Sequence, residues 1–168
     1  VSNFNGWMPV LMSKVHSSGV YEVFLTEAHP GHLYKYRIHN ENCSRPVQDR
    51  CDPFARASEV RPANSSIVPA AGRFTFRDSK WRKEQSCGYD RPVHIYELHA
   101  GSWKRHSDGS FYGYRELANA LVPYCREHNF THVEFLPLAE HPVDGSWGYQ
   151  CTGYFSVTSR YGAPEDFL

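Results

Sequence analysis

The sequence predicts two structural classes in one chain, an all-β sandwich followed by a parallel α/β arrangement. Three observations predict this. Short β segments, "GVYEVFL", "LYKYRIH" and "GRFTF", recur between turn signals up to about Phe76. A charged and polar stretch from Ser79 to Arg91 then breaks the pattern. After Pro92 the pattern becomes strand, helix, strand.

In chain order, Val20 to Leu25 is nearly continuous in apolar residues apart from Glu22, and predicts a strand. Leu33 to Ile38 alternates Leu33, Lys35 and Arg37 against Tyr34, Tyr36 and Ile38, the period of a half-buried strand. Pro30-Gly31 supplies a turn between them at a spacing that suits antiparallel neighbours. Pro53, Pro62 and Pro69 forbid long regular elements between Cys51 and Pro69, so an ordered connector or edge is expected there. The predicted organisation is a sandwich over 1–78, a linker over 79–91 and an α/β unit over 92–168. Within that unit Val93 to Leu98 is the first strand. Leu117, Leu121 and Tyr124, with Ala118, Val122 and Cys125 beside them, give a wide apolar stripe on a helix that starts near Tyr114. Pro123 lacks a backbone donor and is expected to kink or restart that helix. Thr131 to Leu136 forms the second strand, ended by Pro137, and a parallel βαβ unit with a right-handed crossover follows.

Composition narrows the function. Lysine plus arginine and aspartate plus glutamate number 18 each, so the summed field favours neither nucleic acid nor an anionic membrane, and a neutral polar partner fits better. Cys43, Cys51, Cys87, Cys125 and Cys151 are odd in number and spread out, which argues against a disulfide framework or a structural zinc site and for a reducing compartment. His29 and His32 flank Pro30-Gly31 in a turn and lack metal-ligand geometry, so no metal is expected. No apolar run approaches membrane-spanning length and the first residues are unlike a signal peptide. Because the chain starts at Val1, inside an expected strand, it is expected to be a piece of something longer.

Two loops stand at the C-terminal ends of the expected parallel strands, where βαβ architectures place binding residues. One is "HAGSWKRHSDGSFYG" and the other "EHPVDGSWGYQCTGYFSVTSRYG". The second sets Trp147, Tyr149 and Tyr154 among Gly145, Gly148 and Gly153, a pattern suited to the wall of a sugar site; packing of the rings against their own loop is the alternative.

The stretches "IYELHAGSW", "YRELANALVPY", "THVEFLPLAEHPVDGSWGYQ" and "TSRYGAPEDF" resemble the glycogen branching enzymes of the α-amylase superfamily. "NFNGW", "YKYRI" and "DPFA" with the later "RP" resemble the starch-binding-type module that precedes their barrel, so the resemblance covers essentially the whole chain. It implies an immunoglobulin-like β-sandwich followed by the first βαβ part of a (β/α)8 TIM barrel. It also implies cleavage of an α-1,4-glucan and transfer of the released segment to a 6-hydroxyl, a retaining double displacement that makes α-1,6 branches. The partners implied are α-1,4-glucans such as glycogen, amylose and malto-oligosaccharides, with no nucleic acid, no membrane and no cofactor. A cytoplasmic enzyme, monomeric at full length, is expected.

By the same resemblance the nucleophile, acid/base and stabilising carboxylates lie on later strands beyond Leu168, so no catalytic residue is assigned within this chain and the segment alone is expected to be inactive. Glu97, Glu134, Glu140 and Asp144 are therefore not assigned to the chemistry. Tyr149 matches the family tyrosine that stacks on the sugar at the bond being cleaved; Gln150 and Trp147 line the same site and His141 braces the loop. Trp7 and Lys35 match positions that contact glucan in related modules, a ring for the sugar face and an ammonium for hydroxyls, with a core role as the alternative for Trp7. Cys151 departs from the family, which usually has proline there. The competing expectations are a malto-oligosyltrehalose trehalohydrolase, a debranching-type hydrolase, and a non-catalytic glycan-binding protein. Gln150 argues against the first, where aspartate tends to follow Trp-Gly-Tyr, and the βαβ unit argues against the last.

Overall fold

A computed structural model describes residues 1–42, 44–70, 72, 75–84 and 90–168 of the 168-residue chain. The first part is built of short antiparallel pairs. Strand β1 (Ser13–Lys14) pairs with β2 (Tyr21–Glu22), β3 (Leu33–Tyr34) with the later β6 (Ser66–Ile67), and β4 (Tyr36–His39) with β5 (Val47–Arg50).

The hairpin expected across Pro30-Gly31 does not form. Gly19, at φ 86°, closes a turn upstream that pairs β2 with β1 instead. Gly31 instead donates its N–H to Val68 O at 2.9 Å, which leads the chain alongside β6. The predicted strand at 33–38 is divided at Lys35, whose backbone exchanges bonds with Val1: the Lys35 N–H donates to Val1 O at 2.9 Å, and the Val1 ammonium donates to Lys35 O at 3.1 Å. The alternation sets Tyr34, Tyr36 and Ile38 apart from Leu33, Lys35 and Arg37. Ile38 is half exposed, and the two phenols both donate to Asp52 Oδ2, at 2.6 and 3.4 Å. Residues buried here are small: Ser2, Ala55, Ser65 and Ser66. The expected strand at 72–76 includes Arg73 and Phe74, and the linker includes 85–89; these lie outside the described residues, as do Cys43 and Cys87. The described part of the linker holds helix α1 (Ser79–Glu84), whose Lys80 and Glu84 sit one turn apart.

The second part contains the parallel βαβ unit. Strand β7 (Ile95–Leu98) pairs in parallel with β8 (His132–Phe135), from Ile95 opposite His132 to Leu98 opposite Phe135. After β7 comes the short helix α2 (Ala100–Trp103), then α3 (Tyr114–Glu127). The Glu116 carboxylate accepts the Gly113 N–H at 2.8 Å and so satisfies one free donor at the start of α3. Asn129, at φ 59°, ends the helix, and Phe130 N–H donates back to Cys125 O at 2.9 Å. The helix is continuous through Pro123 and does not restart there.

Two apolar clusters hold this unit. Leu98, Leu121 and Cys125 pack with Tyr96, Trp103, Tyr124 and Phe130. Ala100, Tyr114, Leu117 and Tyr161 pack with Phe111, Leu138 and Val157. The apolar stripe is narrower than expected, since Ala118 and Val122 face solvent while Tyr114, Leu117, Leu121 and Cys125 are buried. Strand β9 (Ala139–Glu140) then pairs antiparallel with β10 (Gly153–Val157), and the short helix α4 (Pro164–Phe167) follows.

These contacts separate two neighbours on α3. Leu121→Ala removes a buried side chain and is expected to cost about 2–5 kcal/mol, whereas Val122→Ala, at an exposed position, should stay within about 0.5 kcal/mol of the parent. Urea denaturation of both variants checks this; equal losses would mean that α3 presents a different face to the strands.

Candidate functional site

The site is the loop between β9 and β10, closed at its base where Glu140 pairs with Gly153 and Thr152 N–H donates to Glu140 O at 2.7 Å. Its inner turn spans Asp144 to Ser146. Trp147 N–H donates to Asp144 O and Tyr149 N–H to Ser146 O, each at 3.0 Å. Trp147 lies in the left-handed region at φ 53°, which costs energy for a residue with a Cβ and persists only where surroundings impose it. Gly148, at φ 92°, lies directly over Pro137, so a Cβ there would run into the Pro137 carbonyl.

A chain of charges holds this turn. Glu140 is buried and its carboxylate accepts from Ser159 N–H and Oγ, both at 2.7 Å, from His141 N–H at 3.0 Å, and from Arg160 Nη1 at 2.9 Å. The Arg160 side chain is only 2% exposed. Its Nη1 also donates to His141 O at 2.7 Å and its Nε to Asp144 Oδ1 at 2.8 Å. Nη2 lies 2.8 Å from the same Oδ1 without the alignment of a hydrogen bond, so that contact is purely electrostatic. Arg61, from the connector between β5 and β6 and beyond, closes the chain with a two-pronged ion pair, Nε to Oδ1 and Nη2 to Oδ2 of Asp144. The bonds from Arg61, and then those from Arg160, hold the Asp144 carboxyl well below the usual carboxylate range, against the opposing effect of desolvation.

On this support the predicted residues divide. Tyr149 is 71% exposed and Trp147 53% exposed, with Gln150 exposed beside them. One face of Trp147 stacks on His99, ring centres 5.5 Å apart and planes 19° from parallel. His99 directly follows β7 and its Nδ1 meets Ser102 Oγ at 2.9 Å; burial, then His141, then Arg105 push its pKa down, which favours the neutral ring. His141 is 2% exposed, its Nδ1 2.9 Å from Ala139 O. Trp147, Tyr149 and Gln150 therefore form a polar-tipped aromatic surface at the C-terminal ends of the parallel strands, with His141 inside the loop's base. Trp7 and Lys35 lie elsewhere. Trp7, at φ 62°, is 38% exposed beside the turn Asn3–Asn5, while the Lys35 ammonium donates to Asn64 Oδ1 at 2.6 Å. Glu97 and Glu134 stand opposite each other in register, both exposed. Among the described residues no group of three or more His, Cys, Asp or Glu could hold a metal ion, and no helix is long and apolar enough to cross a membrane.

Sequence reasoning missed Arg61, Arg160 and His99. Arg160 lies within "TSRYG" and Arg61 within the connector, but no spacing rule joins residues 83 positions apart. The one available signal was the presence of two carboxylates, Glu140 and Asp144, in a glycine-rich loop: a carboxylate taken out of water, as Glu140 is, requires a cation.

Residues 1–55 match the family Carbohydrate-binding module 48 (Isoamylase N-terminal domain). Over its whole length the chain is 48% identical to the 1,4-alpha-glucan branching enzyme GlgB of Nitrosomonas eutropha, covering 23% of that protein. Against further bacterial branching enzymes it likewise spans about a quarter of their length, the amino-terminal part. The fold is shared with a putative alpha amylase from Salmonella typhimurium, at 25% identity and a TM-score of 0.68 over 93% of this chain and 24% of that one. It is also shared with a pullulanase from Paenibacillus barengoltzii crystallised with maltohexaose and alpha-cyclodextrin, at 21% identity and a TM-score of 0.64 over 94% of this chain and 28% of that one.

The charge chain predicts an acid response. The Asp144 carboxyl is held below its unfolded value of about 4, so its stabilisation is complete above about pH 4 and is lost progressively as pH falls further. Urea midpoints measured between pH 7 and pH 3 should therefore fall more steeply below about pH 4 in the parent than in Asp144→Asn. Superimposable profiles would remove Asp144 from the account of loop stability.

Proposed function

We propose that this chain forms the opening portion of a glycogen branching enzyme of the α-amylase superfamily. Residues 1–78 are its immunoglobulin-like, starch-binding-type sandwich, 79–91 its linker, and 92–168 the start of a (β/α)8 barrel. The parallel pair β7 and β8 with α3 between them supports the barrel reading, and the family match over residues 1–55 supports the module. The reaction is cleavage of an α-1,4-glucan and transfer of the segment to a 6-hydroxyl by retaining double displacement, in a cytoplasmic setting.

The observation that carries the proposal is the exposed Tyr149 ring on a loop braced by buried charges at the C-terminal end of the strand pair. An apolar ring face suits the C–H face of a pyranose, and the phenol and the Gln150 amide offer hydrogen bonds to hydroxyls. Trp147 extends the same wall. No carboxylate in this segment does the chemistry: Glu140 and Asp144 are engaged by arginines, and Glu97 and Glu134 face each other in the open. This segment positions glucan; catalysis belongs to carboxylates elsewhere in the barrel. In the module, Trp7 supplies a partly exposed ring, while Lys35 reaches sugar only on leaving Asn64. A debranching hydrolase is the second reading, favoured by the fold shared with the pullulanase. The whole-length identity of 48% to a branching enzyme, against 21% to that pullulanase, supports the branching reading over the debranching one.

Fusing residues 1–168 to the remaining barrel of the Geobacillus stearothermophilus branching enzyme, 48% identical to this chain, makes the test direct. The fusion should form α-1,6 branches on amylose, and Tyr149→Ala should lower turnover about tenfold or more without unfolding it, because sugar placement near the transition state is lost. Loss of α-1,6 bonds from amylopectin, with no new branches formed on amylose, would favour the hydrolase; unchanged turnover would remove Tyr149 from the site.

A further inference from the structure

The structure assigns Arg61 a role outside any sugar contact: we propose that it is a positioning residue, through which the amino-terminal module sets the conformation of the loop carrying Trp147, Tyr149 and Gln150. The inference rests on the reading of that loop as a glucan platform, and it adds a task for the module that is separate from binding sugar itself.

The seam between the first part of the chain and the β9–β10 region carries several contacts. Ser58 Oγ meets Ser156 Oγ at 3.0 Å, Ser159 Oγ lies 3.1 Å from Glu59 O, Cys51 Sγ lies 3.8 Å from Thr152 O, and the rings of Phe54 and Phe155 stack with centres 5.5 Å apart. These hold the base, that is, β10 and its flanks. Arg61 reaches further and grips Asp144 at the head of the inner turn with both prongs. That turn is the one whose Asp144 O accepts the Trp147 N–H, so the carboxylate and the carbonyl of one residue link Arg61 to the aromatic backbone. A guanidinium fork fixes direction as well as distance, which a single ammonium does not.

The geometry also explains why a second arginine is needed. Arg160 is buried and already divided among Glu140, His141 O and Asp144, so it anchors the turn from inside the loop. Its single aligned bond to Asp144 leaves Oδ2 open, and Arg61 takes that oxygen. A cavity of about 60 Å³ lies alongside, lined by Arg61, Pro62, Asn64, Glu140, His141 and Thr152, so apolar packing does not replace the ion pair there. The Arg61 and Asp144 side chains are 35% and 49% exposed, which places the pair in partial contact with solvent and makes its strength sensitive to salt.

The test uses the 168-residue chain with Arg61→Ala and Arg61→Lys. Amide exchange is read at Ser146, Trp147 and Tyr149, whose N–H groups bond within the loop, and at α3 as the internal control. Maltohexaose affinity is read by calorimetry. Arg61→Ala should speed exchange at the three loop amides about fivefold and leave α3 unchanged, with Arg61→Lys between the two because it keeps the charge and loses the fork. Maltohexaose should bind the alanine variant about fivefold more weakly. Loop exchange equal to the parent in Arg61→Ala would overturn the proposal. If Arg61→Ala loosens α3 as well, Arg61→Lys decides: acceleration confined to the loop upholds local positioning, and parent-like or chain-wide exchange overturns it. No binding of maltohexaose by the parent, with loop exchange still responding to Arg61, would overturn the glucan reading of the loop and leave the clamp standing.

Discussion

A guanidinium taken out of water is the constraint around which this site is organised. Arg160 is almost fully buried, and a charge in that position requires carboxylates and carbonyls on every side. Glu140, His141 O and Asp144 supply them, and all three belong to the start of one loop. The loop conformation is thus dictated by the needs of the cation at its far end. Removing one partner of such a buried pair leaves the other uncompensated, at a cost of about 3–5 kcal/mol, so the arrangement is strongly directional even where its net stabilisation is small.

From that centre the aromatic surface follows. With Asp144 fixed, its carbonyl fixes the Trp147 amide, and the stack on His99 ties the Trp147 ring to the end of β7. Gly148 then permits a close crossing over Pro137 that no other residue could make, and Tyr149 emerges into solvent. Large apolar side chains left outward on a rigid support are what sugar recognition by stacking requires, because the support removes the entropy that a mobile ring would lose on binding. The same account separates the two candidate glucan contacts of the module. Trp7 is partly open, whereas Lys35 is bonded to Asn64, and any hydroxyl it meets must compete with that 2.6 Å bond.

What could be read from the sequence divides along local and distant interactions. The βαβ unit was legible because each of its signals is local: the 3.6 period of Leu117, Leu121 and Tyr124, and two apolar runs of strand length. Its stripe was drawn too wide, since Ala118 and Val122 are apolar residues that packing leaves outside. Strand pairing in the first part was misread because its register depends on Gly19 and on the exchange of backbone bonds between Val1 and Lys35, one a choice between two turns and the other a contact across the chain. Tyr149 was singled out by the motif around it, and its ring is exposed. The ion chain behind it was not legible, since charge pairing across 83 residues leaves no periodic trace and Arg61 looks like any exposed arginine beside a proline.

Chemical-shift mapping of the 168-residue chain during a maltohexaose titration tests the central claim most directly, that the charge-braced loop is where glucan lies. The account predicts saturable shifts at Trp147, Tyr149 and Gln150, with the Glu140 and Arg160 amides nearly unmoved because the platform is preformed. Shifts confined to Trp7 and its neighbours, with Tyr149 silent at saturation, would contradict it.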